Sequence, residues 1–189
     1  MKKLIGYSLK INDPAFDEYV KKTNKFIIIF TIIAVVLVNS GFYIASMKSS
    51  EISFPEAIFI STLLSIMFII ICLFSIFSRN KNKTFDGEVV SKNIKKKVDT
   101  SDENSYSDYL LYIVKIKGDN GKVKKLKYRD NNSMYNYFEV GDKVRYHGLL
   151  KTFEKYDKSK DEIIFCNACL TKHSINDEVC SHCKCPLLK

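Results

Sequence analysis

Two stretches without a charged side chain limit what this chain can fold into. Phe26 to Met47 reads FIIIFTIIAVVLVNSGFYIASM, and no charge interrupts Ala57 to Phe77 within FPEAIFISTLLSIMFIIICLFSIF. About 20 apolar residues cross a hydrocarbon core ~30 Å thick, and each stretch is long enough. A surface helix of a soluble bundle keeps a polar face, and neither stretch has one. The reading is a transmembrane α-helical hairpin. A cleaved leader is not expected. A polar segment with Asp13, Asp17 and Glu18 precedes the first run, which outlasts a leader's ~7–15 apolar residues.

Lysine placement sets the expected orientation. Lys2, Lys3, Lys10, Lys21, Lys22 and Lys25 precede the first span; Arg79, Lys81 and Lys83 follow the second. The loop between them has Lys48, offset by Glu51 and Glu56. Positive residues stay on the cytoplasmic side, so both termini are expected inside a two-pass protein of the plasma membrane. The spans hold few polar groups and no ionisable side chain at mid-membrane, which argues against a transporter or channel. Ser61 and Ser65, four apart, offer a small-xxx-small contact face.

After Phe77 the pattern changes to short strands. FDGEVVSKNI reads as a strand following a turn at Asp86-Gly87, and KKKVDTSDENSYSD as a mobile loop. DYLLYIVKIK and KVKKLKYRD read as a hairpin around GDNG. NNSMYNYFEVGD reads as a loop, KVRYHGLLKTF as the next strand, and YDKSKDEIIF as a turn and a last strand. Pro14 is expected to open a helix that Asp13 can cap.

The chain ends in CNACLTKHSINDEVCSHCKCPLL, Cys166 to Leu188. Four cysteines in two Cys-x-x-Cys pairs can complete the tetrahedron that zinc prefers. Cys166, Cys169, Cys180 and Cys183 are the expected ligands, with Cys185 as a possible substitute and His173 and His182 as other donors. Thiols in a reducing cytoplasm are metal ligands more often than disulfides. Four thiolates close the shell, so the expected Zn2+ is structural rather than catalytic. The segment resembles the short zinc-ribbon family found at the ends of bacterial membrane and regulatory proteins. That family has Gly after the second Cys of each knuckle, where this chain has Leu170 and Lys184. The middle region, through FEVGDKVRY, resembles the small OB- or SH3-like barrels that follow many bacterial membrane anchors.

The fold class expected is therefore a membrane helical hairpin, a small all-β domain that is antiparallel and barrel-like, and a zinc ribbon. The expected boundaries are 1–25 for a cytoplasmic N-terminal segment, 26–47 and 56–78 for the spans, and 48–55 for an external loop. Residues 79–165 form the β-domain and 166–189 the ribbon.

Function is read more coarsely. The chain has three histidines, and no metalloprotease, hydrolase-elbow or phosphate-loop motif. His147 reads as structural. A non-enzymatic scaffolding or regulatory module is expected, with the lipid bilayer and an unidentified protein as partners and no small-molecule substrate. The net charge of +9 falls mostly after Phe77. Lys125, Lys127, Arg129, Lys143 and Arg145 alternate on strand faces, with Tyr112, Tyr128 and Tyr146 nearby. They could contact nucleic acid or the membrane surface. A nucleic-acid module is the alternative reading, and a thiol-reactive stress protein using Cys185 a second one.

Overall fold

The computed structural model describes residues 4–48, 53–102 and 105–189, with 100–102 and 105–106 described by backbone alone. The expected external loop lies outside the described residues at 49–52, as do Lys2 and Lys3. The chain forms two compact units, one of Pro14–Asn80 and one joining the residues up to Asp13 with Lys81–Lys189.

The first unit is a pair of helices. Helix α1 runs Pro14–Lys48, starting at the expected proline and continuing unbroken through the first apolar stretch. Helix α2 runs Phe54–Phe77, with Pro55 in its first turn and Glu56 accepting from the Ser53 N–H at 3.0 Å. Both are long and apolar enough to cross a membrane; none of α1's most apolar window is buried, and 17% of α2's is. The faces that meet are small and polar. Ala57, Ser61, Ser65 and Cys72 are the buried residues of α2. Asn39 Nδ2 donates to Ser65 Oγ at 2.8 Å and to the Val35 carbonyl at 2.8 Å, and Ser65 Oγ donates to the Ser61 carbonyl at 2.7 Å. Small side chains let the backbones approach, and interhelical hydrogen bonds add ~0.6 kcal/mol each on average in a bilayer.

The second unit is built on a five-stranded sheet in which every pairing is antiparallel. Its strands are β1 (Phe85–Asp102), β2 (Ser105–Gly118), β3 (Val123–Arg129), β4 (Lys143–His147) and β5 (Thr152–Lys155), in the order β3-β2-β1-β4-β5. A second, two-stranded sheet pairs β6 (Ile163–Phe165) with β7 (Lys172–Ser174). Val89, Val114, Ile116, Val144, Tyr146, Phe153 and Phe165 form a core on one face of the large sheet.

Four local expectations are corrected. KKKVDTSDENSYSD is not a loop: β1 and β2 stay paired from Lys95↔Leu111 to Asp99↔Ser107 and again at Asp102↔Ser105. Over Lys95–Val98 both faces of that extension are open to water, so its polar sequence lacks the alternation that marks a half-buried strand. Asp86-Gly87 is not a turn but part of β1, where a Cβ on Gly87 would meet the Lys117 carbonyl oxygen at 2.6 Å. NNSMYNYFEVGD is not all loop: α3 (Ser133–Tyr137) sets Tyr137 and Phe138 into the core. KVRYHGLLKTF is two strands, β4 and β5, with Lys151 in the left-handed region at φ 60° between them. The expected barrel is also not closed. β3 and β5 are the two edges, and they are staggered: β3 covers β2 from Leu111 to Lys117, while β4 covers β1 only from Phe85 to Glu88.

The N-terminal segment belongs to this second unit. The Leu4 carbonyl accepts from Lys158 N at 2.8 Å, and Gly6 N donates to the Tyr156 carbonyl at 2.9 Å. Ile5 bridges to Asp157. Beneath this bridged segment lies a buried polar cluster. Glu154 accepts from the Ser8 N–H at 2.8 Å and from Lys158 Nζ at 3.0 Å, and faces His147 Nε2 at 2.8 Å. Lys158 Nζ also donates to the Gly6 carbonyl at 3.1 Å. Glu154 and Lys158 are 2% and 1% exposed, so each charge depends on the other. His147 is thus a buried, hydrogen-bonded residue.

Candidate metal centre and basic groove

The four expected cysteines converge. The Sγ atoms of Cys166, Cys169, Cys180 and Cys183 all lie within 4.8 Å of one another, with Cys166–Cys183 and Cys169–Cys180 at 3.5 Å. A tetrahedral ion with ~2.3 Å bonds to sulfur requires sulfurs ~3.8 Å apart, so the group can hold a metal ion.

Two matching knuckles position the sulfurs. In the first, Cys166 N donates to the Thr171 carbonyl at 3.0 Å and Leu170 N to the Cys166 carbonyl at 2.8 Å. In the second, Cys180 N donates to the Cys185 carbonyl at 2.9 Å and Lys184 N to the Cys180 carbonyl at 3.0 Å. Each knuckle forces one residue into the left-handed region, Leu170 at φ 60° and Lys184 at φ 62°. These are the two positions that lack the ribbon family's glycine.

The pairing also places the fifth cysteine. Cys185 occupies in the second knuckle the position of Thr171 in the first. Thr171 Oγ1 sits 3.1 Å from Cys169 Sγ. Cys185 is fully buried and outside the four-sulfur group, and burial pushes its thiol above the ordinary range. His173 is not a member of the group either. Its Nε2 lies 3.2 Å from Cys180 Sγ, within hydrogen-bond reach of the sulfur, and its Nδ1 lies 3.5 Å from Asp177. His182 is exposed on the second knuckle.

Burial pushes the Cys166 thiol up to about 12 and raises Cys183 as well. At Cys169 burial acts in the same direction, but hydrogen bonds from Thr171 and the neighbouring thiols outweigh it and bring the group down to about 6. Four thiols this close cannot all ionise side by side, and a dication removes that conflict.

The knuckles are fused to the sheet. Asn167 Nδ2 donates to the Phe153 carbonyl at 3.1 Å, Thr152 Oγ1 donates to the Asn167 carbonyl at 2.8 Å, and Leu187 and Leu188 are fully buried. The void between Tyr137, Phe165, Cys166 and Leu188 holds only about 10 Å³.

The basic residues expected on strand faces divide. Lys125 and Lys127 line a groove of about 290 Å³ together with Lys95, Lys97 and Lys115, over Leu111 and Ile113. Sequence reasoning missed Lys95, Lys97 and Lys115, although Lys95 and Lys97 alternate as Lys125 and Lys127 do. Arg129 is instead paired with Asp99 and stacked on Tyr109 at 4.1 Å. Arg145 holds Asp86 through two hydrogen bonds, 2.6 and 2.8 Å, and stacks on Tyr7 at 4.0 Å. Lys143 stands opposite Glu88 in the β1–β4 ladder. The tyrosines are on the other face. Tyr112 packs on Tyr135 at 5.3 Å, Tyr146 lies in the core, and burial raises the Tyr128 phenol to about 12. Comparison with protein families, curated proteins and solved structures finds no match.

Proposed function

We propose that this chain is a non-enzymatic interaction module anchored in the plasma membrane by a two-span hairpin, with both ends and a structural zinc ribbon in the cytoplasm. The observation that carries the reading is the composition of the second unit. It joins residues before the first apolar helix to residues after the second. Backbone bonds from Leu4 and Gly6 to Lys158 and Tyr156 require both segments on one side of any membrane the helices cross. This supports an even number of crossings independently of charge, and the lysine bias then favours the inner face.

Zinc is the metal that four thiolates in a tetrahedron suit best. The donor set is complete without a water, which supports a structural role. Fusion of the knuckles to the sheet supports a rigid display platform for a protein partner, rather than a tethered head on a linker. The test has two parts. Reporter fusions at Ser49 and at the C-terminus should report outside and inside respectively, and an external C-terminus would refute the topology. The purified chain should carry about one zinc per molecule. Less than half an equivalent, with folding unchanged by chelator, would refute the ribbon.

A further inference from the structure

Several strand cations of the second unit are held in ion pairs. Arg129 has Asp99, Arg145 has Asp86 and Lys96 has Asp108. Among the described residues, the five lysines of the groove have no such partner, and no carboxylate lines it. Lys115 and Lys125 are direct partners across the β2–β3 ladder. Like charges directly opposite destabilise a sheet. The fold thus gathers five lysines in one groove, over an apolar floor of Leu111 and Ile113.

The complement is an anion, and two features select its kind. The cations are all lysines, compact point charges suited to phosphate oxygens rather than to planar, bidentate recognition. Tyr112, Tyr128 and Tyr146 lie on the opposite sheet face, and Tyr109, on the groove's own face, is already stacked by the Arg129 guanidinium at 4.1 Å, so the groove itself is lined by no aromatic platform of the kind single-stranded nucleic acid uses. Tethering adds a third argument, resting on the membrane reading above. Asp13 of this unit is bonded directly to Pro14 of α1, and only residues 78–84 separate α2 from β1. Headgroups are therefore offered to the groove at high effective concentration. We infer that the groove of Lys95, Lys97, Lys115, Lys125 and Lys127 binds the phosphates of anionic phospholipid headgroups in the membrane that carries the hairpin.

The test is amine-reactive pulse labelling of the full-length, zinc-loaded chain in lipid nanodiscs, read by mass spectrometry at each lysine. Discs of phosphatidylcholine alone are compared with discs containing phosphatidylglycerol. Labelling of the five lysines should slow about fivefold in the anionic discs and recover in high salt, while the exposed Lys160 stays unchanged. A K115Q/K125Q variant should remain folded and lose the difference at Lys95, Lys97 and Lys127. Equal labelling in both discs overturns the inference while leaving the hairpin intact. Protection by an added oligonucleotide in neutral discs, with none from phosphatidylglycerol, overturns it in favour of nucleic acid. A chain that enters neither disc refutes the membrane reading itself.

Discussion

Replacing Glu154 with glutamine should be among the most damaging conservative changes in the chain. The carboxylate serves the Ser8 N–H, the Lys158 ammonium and the His147 ring at once, all within 3.0 Å. Glutamine keeps the shape but removes the charge. Lys158, 1% exposed, then retains the Gly6 carbonyl at 3.1 Å against the loss of its counter-ion. Removing one partner of a buried pair costs ~3–5 kcal/mol, and the retained amide oxygen places E154Q near ~3. Against ~5–15 kcal/mol for a typical domain, that is a large fraction. Burial already holds the Lys158 ammonium below the ordinary lysine range, with Glu154 opposing that shift. The E154Q deficit is therefore full at neutral pH and shrinks as pH rises toward the unfolded lysine value, where the neutral amine is cheaper to bury. Chemical denaturation of the zinc-loaded chain in detergent measures the loss. Hydrogen exchange at the Gly6 and Lys158 amides reports whether the N-terminal segment lifts. The E154Q/K158M double variant should regain at least half the loss, because no buried charge remains. An E154Q cost below ~1 kcal/mol, or a double variant worse than the single, refutes the reasoning.

Four further substitutions probe other parts of the fold. Lys184→Gly relieves a left-handed residue on an exposed knuckle and should stabilise the zinc-loaded chain by about 1 kcal/mol in denaturant; a loss would contradict the strain. Gly87→Ala drives a Cβ against the Lys117 carbonyl and should cost ~1–3 kcal/mol, read as a lowered thermal midpoint. Cys183→Ala should abolish stoichiometric zinc, whereas Cys185→Ala should leave the metal content at the wild-type value; equal loss from both would bring Cys185 into the ligand set.

The sequence made some of this legible. Charge-free runs mark the two long helices because an unbroken apolar run of that length leaves no polar periodicity to read, and paired Cys-x-x-Cys spacing marks the sulfur cluster because each knuckle is local. The missing glycines at Leu170 and Lys184 point to the two strained residues for the same local reason. What escaped was set by distance or by exposure. The β1–β2 extension past Lys95 is polar on both faces and so resembles a loop. The cluster of Glu154, Lys158 and His147 with Ser8 joins opposite ends of the chain, and no local pattern records it. Tyr128 beside Lys127 was available to parity alone: neighbours along a strand point to opposite faces.

The docked N-terminal segment also imposes an order of assembly. Residues 4–8 are synthesised before either apolar helix, yet their partners at 154–158 come after both. The unit can close only once the chain between them has been made and, where the helices insert, has returned to the side it left. An inverted or half-inserted hairpin would strand Glu154 and Lys158 without the Ser8 N–H and the Gly6 carbonyl. Where the helices insert, closure of this unit would depend on the hairpin having returned. A fragment beginning at residue 81 lacks the segment that bridges to Asp157.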